Sequence, residues 1–465
     1  MNDLNNMEGV YFVGIGGIGM SALALWFRHR GYVVAGFDRT QSSITDSLAA
    51  KGCEIVFEDD PSALPELFRE KIPGKEILVV YTPAIPAESS LLSHFREKGF
   101  RLRKRAEVLG TISRSTDTIA VAGTHGKTTT STMTAHLLKQ SRVDCSAFLG
   151  GISRNYDSNL LLGNSRFTVI EADEYDRSFH QLDPLMAVIT SVEADHLDIY
   201  GDLKTMTEAY DVFCGKIRPG GLLLLNHRIR DRLKHPEDVS VFTYGNDPGA
   251  DYRYFNVVSG EDYYLFSLST PEGMIENLRF HFPGRINIEN LTAAIAIALK
   301  CGVSETEIRR SVPLFKGVRR RFDIRVNMPG LTYIDDYAHH PGEIKACIRS
   351  LREYFGGRRI TGIFQPHLFS RTRDHADEFA EILDELDEAI LLPIYPAREK
   401  PIEGVSSELI FERMKLENKK MLQPQNVVDM LDPGRLDVLV TIGAGDIDRL
   451  VDPIERKLRG ENPEK

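Results

Sequence analysis

The chain has 465 residues, 42% of them hydrophobic and 27% charged, with a formal net charge of -10. That hydrophobic share argues against disorder over most of the length. The acidic balance, without any polybasic block, excludes a nucleic-acid or anionic-membrane surface as the main purpose. Length alone allows roughly three domains. The five cysteines, Cys53, Cys145, Cys214, Cys301 and Cys347, form no C-x-x-C pair. They read as buried small hydrophobes rather than zinc ligands or a disulfide framework. The start, MNDLNNMEGV, is polar and acidic, unlike a secretory leader. No apolar run approaches the ~18 residues a membrane span needs. A soluble cytoplasmic protein is therefore expected.

The first elements are an apolar run at Val10–Val13, the turn GIGGIGM, an Ala/Leu-rich helix to His29 and a second run, Tyr32–Phe37, ending at Asp38. Gly14, Gly16 and Gly19 have G-x-G-x-x-G spacing, with Gly17 between them. Such glycines let backbone N–H groups approach a pyrophosphate at a helix N-terminus. The pattern points to a diphosphate ligand, and Asp38 could contact either a nicotinamide dinucleotide or another nucleotide. Further strand-like runs at Ile77–Tyr81 and around 100–102 complete a nucleotide-binding α/β domain over residues 1–113.

A second α/β unit begins with the strand Thr118–Ala122, followed by Gly123-Thr124-His125-Gly126-Lys127-Thr128-Thr129-Thr130 at a helix start. Backbone N–H groups and the Lys127 ammonium would neutralise a triphosphate there, and the Thr128 hydroxyl could ligate Mg²⁺. The general phosphate-loop pattern wants glycine at position 121, where this chain has Val121, so the loop is a shortened relative. Glu171-Ala172-Asp173-Glu174 follows the strand Phe167–Ile170, and Glu193-Ala194-Asp195-His196 follows Met186–Thr190. Carboxylates at strand ends beside a phosphate loop are suited to Mg²⁺, with Glu171 the best candidate and His196 the next. Residues 239–282 alternate and read as an antiparallel patch, followed by a helix over 287–300. This unit is placed at 114–322.

The third unit, 323–465, opens with a strand near Leu331–Ile334. Asp335-Asp336-Tyr337-Ala338-His339-His340 follows it. Gln365-Pro366-His367 and Ser370-Arg371-Thr372-Arg373 follow the strand Ile360–Phe364, and Gly443-Ala444-Gly445-Asp446 follows Asp437–Ile442. Three polar clusters at three strand ends converge on one rim of a sheet, the usual ligand edge. The charged tail after Arg456 reads as frayed.

Together these strings resemble the Mur ligase family over nearly the whole chain. GTHGKTTT marks the family. GIGGIGM, EADEYDRSF, EADHLDIY, RRRFD, DDYAHHP, FQPH with SRTRD, YPAREKPI and GAGD resemble its branch that adds L-alanine to UDP-N-acetylmuramate. The resemblance implies three α/β domains: a Rossmann-like N-terminal domain for the UDP-sugar, a P-loop ATPase-like central domain, and a Rossmann-like C-terminal domain for the amino acid. It assigns Gly14, Gly16, Gly17, Gly19 and Asp38 to a UDP-sugar rather than NAD.

The implied reaction is ATP-dependent ligation through an acyl-phosphate, with Lys127, His196 and Arg371 as catalytic residues. ATP would be bound by Gly123 to Thr129, Asn287, Asn290, Arg321 and Asp336. Thr128 and Glu171 would hold one Mg²⁺ and His196 a second. Tyr337, His339, His367 and Arg371 would meet the amino acid. The implied partners are UDP-N-acetylmuramate, L-alanine and ATP, with a monomer or homodimer as the working form. Two departures stand out. Many relatives carry arginine where this chain has Leu368, which shifts carboxylate recognition to Arg371 or Arg373. Some carry a modified lysine where this chain has Asp211, so no carbamylated lysine is expected. Three rivals are the murein-tripeptide recycling ligase, a P-loop switch or motor, and an NAD-dependent oxidoreductase.

Overall fold

The computed structural model describes residues 4, 7–70, 74, 76–86, 88–193, 197–260, 263–397 and 399–461. Among them the chain builds three sheets. The first contains β1 (Gly9–Val13), β2 (Val33–Phe37), β3 (Glu54–Val56), β4 (Ile77–Tyr81) and β5 (Arg101–Lys104). Its order is β3-β2-β1-β4-β5, with every pairing parallel. β1 is buried along its whole length, as expected where helices cover both faces of a parallel sheet.

The second sheet holds β6 (Asp117–Ala122), β7 (Ser146–Ser153), β8 (Ser158–Leu161), β9 (Phe167–Glu171), β10 (Met186–Ile189), β11 (Leu222–Asn226) and β12 (Ser240–Gly245). It continues with β13 (Tyr252–Ser259), β14 (Tyr264–Thr270) and β15 (Gly273–Phe280). The order is β15-β14-β13-β12-β11-β10-β6-β9-β7-β8. The alternating stretch after 239 divides: β12 is parallel to β11, and the antiparallel pairings are β13 with β14 and β14 with β15. β7 and β8 form a further antiparallel pair at the opposite edge. The helix expected over 287–300 runs Arg285–Lys300, with residues 287–298 buried.

The third sheet is β16 (Asp323–Met328), β17 (Leu331–Asp336), β18 (Ile360–Phe364), β19 (Glu388–Leu391), β20 (Lys419–Met421) and β21 (Val438–Ile442), ordered β16-β17-β21-β18-β19-β20. β16 is an antiparallel edge strand ahead of the expected start at Leu331. The tail expected to fray after Arg456 stays helical for two residues more, and residues 462–465 lie outside the described residues. The helix Asp448–Leu458 continues past Arg456, because Val451, Ile454 and Leu458 make a buried stripe along it.

The chain folds as two compact units, Met1–His281 with Asn287–Lys316, and Phe282–Ile286 with Gly317–Lys465. In the first, one apolar cluster runs through both sheets, from Phe12 and Phe27 to Ile170 and Leu225. The helix Ile18–His29 joins them: Asn159 Nδ2, on β8, donates to Ile18 O at 2.6 Å and Ser21 Oγ at 2.9 Å. The second unit has its own core, including Tyr333, Ile363, Ile390, Leu439 and Ile454. No helix among the described residues is long and apolar enough to cross a membrane.

Candidate active site

In the first sheet the glycine turn leaves β1 and leads into the helix Ile18–His29. Gly14 takes φ +92°, a conformation that favours glycine, and Gly17 caps the helix. Gly16 N donates to Asp38 Oδ2 at 2.8 Å and Thr40 N to Asp38 Oδ1 at 3.2 Å. Asp38 therefore braces the turn through Oδ2 and its own loop through Oδ1.

The phosphate loop leaves β6 at Gly123 and enters the helix Lys127–Lys139, with Gly126 at φ +81° as its cap. The segment after β10 clasps it. Thr124 N donates to Ser191 O at 3.1 Å, His125 N to Ser191 Oγ at 2.9 Å, and Glu193 N to Thr124 Oγ1 at 3.1 Å. Thr190 Oγ1 donates to Ala122 O and His125 O. A Cβ on Gly123 would fall 2.0 Å from that hydroxyl, so only glycine permits the approach. Behind the loop, Thr130 Oγ1 donates to Asn290 Oδ1 at 3.2 Å, and Asn290 Nδ2 donates to Asn287 Oδ1 at 3.1 Å. Thr129 lies in the first turn of the same helix.

The Lys127 ammonium donates to Gly123 O at 2.7 Å, Thr124 O at 3.1 Å and Glu174 Oε1 at 2.7 Å. The Glu174 side chain is 1% exposed, and burial raises its pKa against the opposing pull of Lys127. Glu171, at the end of β9, accepts from Thr128 Oγ1 at 2.9 Å, Ser131 Oγ at 3.3 Å and Gly150 N at 3.0 Å. A Cβ on Gly150 would lie 2.2 Å from Glu171 Oε1, so the backbone of β7 is shaped around this carboxylate. A hydroxyl and a carboxylate, both hard oxygen donors, meet beside a phosphate loop, which fits Mg²⁺. His196 lies outside the described residues. Asp211 Oδ1 accepts from Lys234 N at 2.7 Å and ties down a loop.

The second unit gathers its polar clusters at the ends of β17, β18 and β21. Asp336 accepts from Phe322 N at 2.7 Å and Ala338 N at 2.8 Å, and burial raises its pKa. The guanidinium of Arg321 lies 5.2 Å from the Tyr337 ring centroid, and that of Arg320 5.0 Å. Arg320 Nη2 also donates to Gly443 O at 2.6 Å, linking two strand ends. Asp335 is buried, with its pKa pushed up to about 6 by desolvation.

Rings in this unit pack in succession: Tyr337 to His339 at 5.2 Å, His339 to His367 at 5.7 Å, and His367 to Tyr395 at 5.8 Å. Arg371 Nη1 lies 3.4 Å from His367 Nδ1. Burial, then the nearby His339 and Arg371, lower the His367 pKa to about 4. His367 is thus a neutral hydrogen-bonding group beside a fixed cation at neutral pH. Arg373 is engaged with its neighbour Asp374 at 2.7 Å, which leaves Arg371 as the guanidinium against the histidines. Leu368 takes φ 72° and ψ 137°, an unusual conformation for leucine.

Family models match in chain order along nearly the whole length: "Mur ligase family, catalytic domain" over 9–116, "Mur ligase middle domain" over 121–298, and "Mur ligase, glutamate ligase domain" over 320–445. The chain belongs to the Mur ligase family. Among relatives of this Mur ligase, the UDP-N-acetylmuramate–L-alanine ligase of Parabacteroides distasonis is 48% identical, with 98% of each chain covered. That of Cytophaga hutchinsonii is 44% identical, with 97% of each covered. The crystal structure of UDP-N-acetylmuramate–alanine ligase from Thermotoga maritima superposes with a TM-score of 0.82 at 26% identity, covering 97% of this chain and 99% of that one. A murein peptide ligase from Psychrobacter arcticus shares the fold, with a TM-score of 0.69 at 21% identity and coverage of 96% and 99%.

Glu174, Ser191 and Thr190 were given no role by sequence reasoning. Glu174 stood inside a quoted string, but nothing in one sequence distinguishes it from Asp173. Ser191 and Thr190 carried no motif signal, since their role depends on β10 lying beside β6.

Proposed function

We propose that this Mur ligase joins L-alanine to the carboxylate of UDP-N-acetylmuramate, converting ATP to ADP and phosphate. The observation that carries the reading is near-complete, end-to-end similarity to enzymes of that name at 41–48% identity. Residues 1–113 take the sugar nucleotide, 114–322 ATP and 323–465 the amino acid. A protein using these soluble nucleotides fits the cytoplasm. The compact-unit boundary between Lys316 and Gly317 falls close to the proposed junction of the last two regions.

A carboxylate is a poor electrophile until phosphorylated. The γ-phosphoryl group passes to a carboxylate oxygen, breaking its bond to ADP. The alanine amine, having lost a proton, then attacks the carbonyl carbon, and the carbon–oxygen bond to phosphate breaks. Lys127 moves from its loop carbonyls and Glu174 onto the phosphoryl oxygens, and loop N–H groups hold the remaining charge. Asn287 and Asn290 support the nucleotide from behind the loop. Thr128 and Glu171 would hold Mg²⁺, with His196 at a second ion, and the cation would supply charge neutralisation during transfer. Arg371 grips the alanine carboxylate, and His339, His367 and Tyr337 shape the pocket around it.

The test is ADP release by the full-length protein with ATP, Mg²⁺ and UDP-N-acetylmuramate, against a panel of amino acids and the murein tripeptide. Release that requires alanine is expected. Release that requires the tripeptide instead would move the chain to the recycling branch, and substrate-independent release would favour an NTPase switch.

A further inference from the structure

The last glycine of the first motif, Gly19, faces a cation. A Cβ on Gly19 would fall 2.5 Å from Nη1 of Arg105 and 3.2 Å from its Cδ and Cζ. The guanidinium therefore lies across the first turn of the helix Ile18–His29. Arg105 opens the helix Arg105–Arg114 directly after β5, at the carboxyl edge of the first sheet. Its other terminal nitrogen, Nη2, donates to Asp173 Oδ2 at 3.2 Å. Asp173 belongs to the acidic segment whose neighbours Glu171 and Glu174 hold Thr128 and Lys127.

Charge arithmetic at this turn calls for a cation. A pyrophosphate placed on the turn's backbone N–H groups meets one that Asp38 already occupies, with the Asp38 carboxylate 2.8 Å from Gly16 N. That negative charge repels a second anion. A forked guanidinium alongside offsets the repulsion and adds paired donors. Asp173 is 40% exposed, and its other oxygen accepts from Tyr175 N at 3.0 Å, so the carboxylate keeps a partner and solvent when the arginine leaves.

We propose that Arg105 binds the pyrophosphate of the sugar nucleotide, leaving Asp173 to do so. The proposal rests on the ligase reading above. It also gives Gly19 a purpose: room for this side chain. Asp173 competes with the ligand for the guanidinium, so the two partners act with opposite sign.

Calorimetric titration of the full-length, nucleotide-free protein with UDP and with UDP-N-acetylmuramate tests this. Arg105→Ala is expected to weaken both ligands at least tenfold, with ATP binding within twofold of wild type, and Arg105→Lys to recover part of the loss. Asp173→Asn is expected to tighten both two- to fivefold. Loss of the same size in both Arg105→Ala and Asp173→Asn would mark a structural ion pair and overturn the proposal. Weakened UDP-N-acetylmuramate with unchanged UDP would place Arg105 on the sugar and overturn the pyrophosphate assignment. Unchanged binding of both ligands by Arg105→Ala removes Arg105 alone, whereas wild-type protein that takes up neither ligand overturns the sugar-nucleotide reading itself.

Discussion

Lys127 rests in a nest of oxygens, two carbonyls of its own loop and the buried carboxylate of Glu174. Removing the ammonium therefore has two effects. Lys127→Ala should abolish ligation, since such electrostatic groups contribute roughly 3–4 kcal/mol to a transition state. It should also lower stability by about 1–3 kcal/mol, because Glu174 loses its partner in a dry position. Adding Glu174→Gln should restore much of the melting temperature and none of the turnover. Restored turnover in the double variant would remove Lys127 from the chemistry.

At the amino-acid pocket, Arg371→Ala should raise the KM for alanine more than tenfold while leaving the KM for ATP nearly unchanged. A shift below about threefold would mean an exposed residue worth under ~1 kcal/mol. His367 adds a pH dependence. Its pKa in the folded chain lies below the ordinary 6.5, at about 4. The unfolded chain thus takes the proton first, and the residue's contribution to stability is complete above pH 6.5 and lost as pH falls towards 4. Wild type should lose more stability than His367→Asn between pH 7 and pH 4, by about 1–2 kcal/mol once solvent screening of this partly exposed ring is taken into account, measured by denaturant unfolding at each pH.

The short helix Phe369–Asp374 is held by its entry residue. Leu368 N donates to Tyr395 O at 3.0 Å, and Leu368 O accepts from both Thr372 N and Thr372 Oγ1. These bonds fix a positive φ that leucine resists, at a strain of about 1–3 kcal/mol. Leu368→Gly is accordingly expected to be neutral or to stabilise by up to about 1 kcal/mol. A loss above 2 kcal/mol in thermal unfolding would show that the side chain's packing outweighs the strain. Sequence alone marked position 368 as a departure from relatives but not as strained, because the strain comes from pairing with Tyr395, distant in the chain. The alternating strands and helices were legible wherever a parallel strand is buried on both faces and reads as a continuous apolar run, as in β1, β6 and β21. β7 and β8 were not. Their residues, SAFLGGIS and SNLL, carry glycines and polar groups because β7 wraps Glu171 and β8 meets the helix Ile18–His29. The phosphate loop, Glu171 and the three polar rims of the last sheet were legible because local chemistry announces them. Glu174 and Arg105 were not, since their meaning lies in what faces them across the fold.

On the scale of the molecule, the two compact units differ in how much chemistry each contains. The first holds the glycine turn, the phosphate loop and the asparagines behind it, and the second holds the histidine and arginine cluster. Nucleotide binding should therefore be measurable with the second unit's pocket disabled: Arg371→Ala protein is expected to take up UDP-N-acetylmuramate with wild-type affinity. The apolar continuity between the first two sheets has an optical consequence. The chain has one tryptophan, Trp26, buried on the helix Ile18–His29 that links those sheets. Its ring lies 4.0 Å from the Arg30 guanidinium, 4.9 Å from the Phe27 ring and 6.4 Å from the Phe148 ring on β7. Indole fluorescence therefore issues from the first unit alone, and the second has no indole to emit. A quench or a red shift on adding a uridine nucleotide reports an event around that helix, and circular dichroism, to which both units contribute, supplies the signal that the emission leaves out.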